Sequence, residues 1–211
     1  MLNTIKEIKK EIGLLGDINI SDILKNKKNT AFVVVDMVRG FYNEGVFASE
    51  RTGLVIEPIV KLNEALNGCE KVFFVDSHTK DSVEFKCYPE HCLKGTIEEE
   101  YVEEIKPDEN TTFIKKNSIN GFHAPDFKKW LEKNQNIDTF IVTGVCTDIC
   151  VETFVMTLKT YFNEVNEDKR IIVPMNTVET GHYGNHDAEL MNLMTFFKLR
   201  SNGIDVVKEI R

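Results

Sequence analysis

No apolar run in this sequence is long enough to cross a bilayer. Its longest apolar stretches, such as Ala31 to Val35, fall far short of the ~20 residues a membrane helix requires. The charged opening, Met1 to Lys10, does not read as a signal peptide either, so the expected location is cytoplasmic, with no membrane partner. Positive charge is also short. Lys and Arg number 26 against 34 Asp and Glu, giving a net charge of −8 and a pI near 5.2. That balance argues against a phosphate-backbone partner, whose binding draws on clustered positive charge, so no nucleic-acid role is expected. Cysteine is sparse and odd in number: Cys69, Cys87, Cys92, Cys146 and Cys150 are too few to staple 211 residues. Reduced thiols follow, with one or more free for chemistry. Proline and glycine gather into no linker, and there is no repeat or low-complexity tract.

What remains is the composition of one ordinary globular domain, 42% hydrophobic and 28% charged. Ile5, Ile8, Ile12 and Leu15 fall at helical spacing, so residues 1–30 read as a helical, packing extension to a domain over 31–211. Six short buried strands are predicted in that domain: Ala31–Val35, Lys71–Val75, Thr112–Ile114, Thr139–Thr143, Arg170–Val173 and Ile204–Val207. Between them, helical periods run over Leu54–Leu66, Ile97–Ile105, Pro125–Leu131, Ile149–Phe162 and His186–Leu199. Such alternation implies an α/β fold, a doubly wound, mainly parallel six-stranded sheet with helices on both faces. Ligands then bind beyond the carboxyl ends of the strands, where the strand order reverses.

Reactive side chains crowd those ends. Asp36 follows the first strand, where it is either a carboxylate satisfied by backbone N–H groups or one free for chemistry. Asp76 and His78 end the second strand and, two residues apart, point to one side, which suits a metal. Glu84 and His91 add a carboxylate and an imidazole, completing two nitrogen and two oxygen donors fit for Zn²⁺, Fe²⁺ or Mn²⁺. The bland alternative is a loop of ordinary charged residues, and Cys87 and Cys92 are competing ligands. Lys115 and Lys116 end the third strand, and alternation puts only one of them on the crevice side. After the fourth strand, Thr143 to Val151 reads as a strand, a tight turn and a helix start, with Asp148 as N-cap. Cys150 would lie in the first helical turn, where the dipole favours thiolate over thiol. Cys146 precedes the helix and ranks second, and either thiol can instead pack as a small hydrophobe. His123, His182 and His186 carry no assignment beyond capping or surface roles.

Together these segments resemble the isochorismatase-like cysteine hydrolases, and within them the nicotinamidase (pyrazinamidase) branch, over about residues 31–208. The resemblance rests on Val35-Asp36-Met37 with Gly40-Phe41, on Lys116 six residues before Phe122, and on Gly144-Val145-Cys146-Thr147-Asp148-Ile149-Cys150-Val151. It implies a catalytic set of Asp36, Lys116 and Cys150, with Cys150 the nucleophile. It also implies a cis peptide before Cys146, with the backbone N–H groups of Cys146 and Cys150 forming the oxyanion hole. Asp76, His78 and His91 point to the nicotinamidases, since isochorismatases proper lack the metal site. Where many nicotinamidases carry a further His this chain has Ser82, and Glu84 has the spacing to His91 that some relatives use instead. Phe41 and Tyr88 fall where the family places aromatics around a pyridine ring. The implied activity is deamidation of nicotinamide to nicotinate and ammonia through a thioester, in a homo-oligomeric, divalent-metal-dependent enzyme, with Zn²⁺ the expected metal. Rival readings are a cysteine hydrolase of another small amide or ureido compound, a metal-hydroxide hydrolase with an incidental cysteine, and a non-catalytic metal or redox sensor.

Overall fold

The computed structural model describes residues 2–211. The first helix, α1 (Leu2–Gly13), buries Ile8 and Ile12 of its apolar stripe, each worth roughly 1.5–3 kcal/mol when fully removed from water. A short α2 (Ile20–Leu24) leads into β1 (Thr30–Val35), which is buried along its whole length. Two single-turn helices, α3 (Arg39–Tyr42) and α4 (Glu50–Gly53), precede α5 (Ile56–Ala65) and β2 (Glu70–Asp76). There follow β3 (Thr111–Lys116), α6 (Pro125–Lys133), β4 (Thr139–Val145) and α7 (Glu152–Glu164). The chain ends with β5 (Arg170–Pro174), the two-residue β6 (Val178–Glu179), α8 (Ala188–Ser201) and β7 (Asp205–Val207).

Every strand pair is parallel, in the order β3-β2-β1-β4-β5-β7, with β6 added beside the end of β4. The predicted doubly wound sheet is therefore present, with β6 as a seventh, minimal strand. Alternation divides the core in two. Ala31, Val33 and Val35 face α1, α6, α7 and α8, while Phe32 and Val34 face α5 and the loop carrying Val102 and Ile105. The order reverses between β1 and β4, so their carboxyl ends open the crevice where such folds bind ligands. No described helix is long and apolar enough to cross a membrane.

The helix predicted over Ile97–Ile105 does not form beyond one turn, Ile97–Glu99. Its backbone bonds go sideways to the loop after β1: Arg39 N–H donates to the Glu100 carbonyl (2.8 Å) and Val102 N–H to the Met37 carbonyl (2.9 Å). A helix there would also stack Glu99 on Glu103 and Glu100 on Glu104, like charges at i,i+4 that weaken it.

Candidate active site

The strand ends are fastened before any side chain reaches the crevice. Gly144 has φ 110, and a Cβ there would collide with the Val35 carbonyl, so only glycine lets β4 leave the sheet this close to β1. Asp36, immediately after β1, has φ 52, a left-handed conformation that Asp tolerates better than most residues. Across the sheet, His78 N–H donates to the Cys92 carbonyl (2.9 Å) and Lys94 N–H to the His78 carbonyl (2.8 Å), which draws His91 alongside β2. Glu99 braces the same corner by accepting from Ser77 Oγ, Gly95 N–H and Lys115 Nζ.

Of the two lysines, Lys116 turns inward and is buried, and Lys115 is exposed. Lys116 Nζ sits between two buried carboxylates, 2.9 Å from Asp36 Oδ2 and 2.6 Å from Asp76 Oδ1, and 3.8 Å from Cys150 Sγ. Its aligned hydrogen bonds go to Asp76 and to the Cys150 sulfur. Asp36 receives the charge but no aligned hydrogen bond on either oxygen, so both remain open as acceptors. Burial raises the Asp36 pKa, Lys116 pulls it back and Asp76 adds to the rise, leaving it pushed up to about 6. For Asp76, burial is outweighed by Lys116 and the two imidazoles, and its pKa falls well below the usual carboxylate range. Lys116 rises well above an ordinary lysine because the two carboxylates overcome its burial.

Cys150 lies in a wide turn, Thr147–Val151, closed by Val151 N–H to the Cys146 carbonyl (3.1 Å) and running into α7. Burial raises its thiol pKa well above the ordinary value; Lys116 opposes this, and Asp36 and Asp76 reinforce it. The thiolate expected from the helix terminus is thus not the resting state. At neutral pH the cluster pairs an ionised Asp36 with a protonated Cys150, with Lys116 Nζ between the carboxylate and the sulfur. The Val145–Cys146 peptide is cis. The turn has no side-chain cap, so Asp148 is not the N-cap predicted for it; its carboxylate is turned to His186, 2.7 Å away.

Asp76, His78 and His91 offer ligand atoms within 4.8 Å of one another, a group able to hold a metal ion. The Nε2 atoms of His78 and His91 converge on Asp76 Oδ2, at 3.0 and 3.3 Å. Their second nitrogens are engaged, His78 Nδ1 with Asn117 Oδ1 (3.1 Å) and His91 Nδ1 with the Pro89 carbonyl (2.8 Å). Outer partners of this kind fix the ring orientation and free Nε2 for a metal, so the donors present fit a divalent cation. Glu84 stands at the edge of the group, with Oε1 3.8 Å from His78 Nε2 and Oε2 accepting from Ile119 N–H (3.0 Å). Cys87 is exposed and Cys92 is buried with its sulfur beside Gly40, and neither belongs to the metal-binding group. Removing His78 or His91 as Ala should therefore empty the site by elemental analysis, whereas Glu84→Ala should weaken binding by about 10–100-fold and leave it measurable. Full occupancy in His91→Ala would contradict the ligand set.

One cavity of about 450 Å³ joins the thiol to the metal-binding group, with Cys146 and Cys150 on its floor and Asp76, Glu84 and His91 at one end. Phe41 and Tyr88 line it, and so do residues the sequence did not single out. Phe47 stands edge-on to His91 (4.9 Å between ring centres) and to Tyr183 (5.4 Å). Tyr183 donates its hydroxyl to the Phe47 carbonyl (2.9 Å). His186, left without a role, lines the far end; His182 accepts from Ala188 N–H at the start of α8, and His123 is exposed.

Residues 30–202 match the isochorismatase domain. The chain is 34% identical over 155 residues to Nicotinamidase 1 of Arabidopsis thaliana, across 64% of this chain and 62% of that protein, less than two thirds of its length. Among solved structures it resembles N-carbamoylsarcosine amidase from Thermoplasma acidophilum, with a TM-score of 0.69 and 27% identity over 85% of this chain and 96% of that one. Pyrazinamidase of Pyrococcus horikoshii in complex with zinc shares the fold, with a TM-score of 0.71 and 21% identity over 85% and 99% of the two chains.

Proposed function

This chain belongs to the isochorismatase family, and on that premise we propose that it is a divalent-metal-dependent cysteine amidohydrolase converting nicotinamide to nicotinate and ammonia. The carrying observation is one aromatic-lined cavity reached by Cys150, which Lys116 joins to the buried Asp36 behind it, and by Asp76 and His91 of the Asp76–His78–His91 group. Similarity to an Arabidopsis nicotinamidase supports the substrate, and the zinc complex of a pyrazinamidase of the same fold supports Zn²⁺ as the metal.

In this reading Asp36 takes the Cys150 proton as the sulfur attacks the carboxamide carbon. Lys116 keeps the negative charge in place while it moves from carboxylate to sulfur to oxygen. The backbone N–H groups of Cys146 and Cys150 meet the tetrahedral oxyanion. Asp36 then returns the proton to the nitrogen, the C–N bond breaks, ammonia leaves and an acyl thioester remains. Water attacks that thioester with Asp36 again the base, the C–S bond breaks, and the proton passes to the Cys150 sulfur. Asp76, His78 and His91, with Glu84 at their edge, would hold a divalent cation, which would supply a Lewis acid for the pyridine nitrogen, and Phe41 and Tyr88 would line the ring's site.

The test is ammonia release from nicotinamide by metal-loaded, reduced protein. Because Asp36 must be ionised to accept a proton, kcat/KM should fall as pH drops through about 6, where an ordinary aspartate would hold activity to about pH 4. The similarity to N-carbamoylsarcosine amidase favours a second reading, hydrolysis of a ureido compound by the same cysteine. Turnover of an N-carbamoyl amino acid with nicotinamide and pyrazinamide left intact would decide for that reading.

A further inference from the structure

At the end of the cavity away from the metal-binding group, Asp148 and His186 form a pair that the chemistry above does not use. His186 Nε2 lies 2.7 Å from Asp148 Oδ2, and its Nδ1 lies 2.8 Å from the Gly181 carbonyl. A carbonyl can only accept, and so can a carboxylate, so each ring nitrogen must carry a proton. His186 is therefore an imidazolium whose two N–H groups are both donated to fixed partners, and neither is directed at a substrate. Burial works against that charge, but Asp148 outweighs it and holds the imidazole pKa above its ordinary value.

What the pair can do is mechanical. Asp148 stands two residues before Cys150, in a turn that has no side-chain cap and whose Ile149 and Val151 N–H groups share the single Cys146 carbonyl. Glu152 N–H closes the turn on the Thr147 and Ile149 carbonyls, and the Asp148–His186 pair adds an outside tether. The segment supplying it is itself pinned: Tyr183 and His186 exchange backbone bonds (3.2 and 2.9 Å), and the Tyr183 hydroxyl is anchored on Phe47. We infer that His186 is a positioning residue: through its ion pair with Asp148 it holds the Thr147–Val151 turn so that the Cys150 sulfur meets Asp36, Lys116 and the substrate carbonyl in register. The inference rests on the reading of Cys150 as nucleophile.

The experiment compares His186→Ala, Asp148→Asn, Asp148→Ala and the His186→Ala/Asp148→Ala double variant with wild type, all as the metal-loaded full chain. It measures kcat and KM for nicotinamide, and separately the rate at which iodoacetamide labels Cys150, read by peptide mass mapping. Misplacing a reacting atom by about 1 Å costs about 10²-fold, so His186→Ala and Asp148→Ala should each lower kcat by about that factor. KM should move by less than about threefold, since binding is not what is lost. Asp148→Asn keeps an acceptor oxygen and should retain more activity than Asp148→Ala. The double variant should be no worse than the poorer single one, as expected of groups acting as a unit. Labelling of Cys150 should slow several-fold in His186→Ala, because a displaced thiol loses its proton acceptor. A normal kcat in His186→Ala, a loss carried by KM alone, or losses that multiply in the double variant would overturn the inference. If wild type leaves nicotinamide intact, the substrate assignment fails by itself, and the labelling arm still decides: unchanged or faster labelling of Cys150 in His186→Ala removes the positioning role.

Discussion

Replacing Cys150 by alanine is expected to abolish amide hydrolysis, lowering kcat by about 10⁴-fold or more while fold and metal content stay as they are. The size follows from the role. In the proposed mechanism the sulfur makes and breaks the bond to carbon, and Lys116, held protonated between two carboxylates, cannot substitute for it. Metal content should hold because Cys150 is not in the Asp76–His78–His91 group. Cys146→Ala provides the internal contrast. Its thiol is buried with its pKa pushed up to about 12, chiefly by burial, whereas the Lys116 ammonium lies beside the Cys150 sulfur. That variant should lose far less, because in the proposed mechanism the residue contributes its backbone N–H rather than its thiol. Steady-state kinetics beside melting and elemental analysis check both, and near-normal turnover in Cys150→Ala would shift the chemistry to a metal-bound hydroxide.

Lys116→Ala should cost activity and stability together. Among the described residues the ammonium is the one cation in contact with both Asp36 and Asp76, each buried. Its removal leaves the buried Asp36 carboxylate beside Asp76 without a counter-charge, a change that costs about 3–5 kcal/mol when one partner of a buried pair is lost. The carboxylates can relieve this only by taking up a proton. The Asp36 pKa, now held to about 6 by Lys116 against burial, should rise further, and with it the pH below which the base is protonated. Turnover should therefore fall severely at neutral pH and recover in part under alkaline conditions, with denaturation midpoints well below wild type. Lys116→Arg keeps the charge but not the compact point geometry, so it should recover stability more than activity. Wild-type stability in Lys116→Ala would show that the cation does not hold the two carboxylates together.

How much of this was legible in the sequence depends on where the information lies along the chain. Phe32 to Val35 and Phe140 to Thr143 announce buried strands by composition alone, because a parallel strand covered on both faces has no polar face to show. With the sheet placed, Asp36, Asp76, the Lys115–Lys116 pair and the Cys146–Cys150 turn fall on its carboxyl edge, and the family resemblance selects Lys116 of the two lysines. What local pattern cannot hold is pairing between distant loops. Phe47 and Tyr183 meet through a hydrogen bond spanning 136 residues, and Asp148 finds His186 across 38. Asp148 looked like a cap because an acidic residue at a helix start ordinarily is one, and the tether competing for it lies in another segment. The charge state of Cys150 was misjudged for a related reason. A helix start lowers a thiol pKa, but burial beside Asp36 and Asp76 raises it more, and burial is a property of the folded whole. In Ile97–Ile105 apolar spacing was helical, yet the backbone found its partners on Arg39 and Met37.

The claim that organises these residues is that the Cys150 sulfur becomes acylated by the substrate. Acid quenching of metal-loaded protein during turnover of nicotinamide, followed by proteolysis and mass spectrometry, reads this directly. The account predicts a nicotinoyl group on the peptide containing Cys150, appearing before steady state and vanishing as nicotinamide is exhausted. Nicotinate formed with the Cys150 peptide unmodified throughout, and still formed by Cys150→Ala, would contradict it.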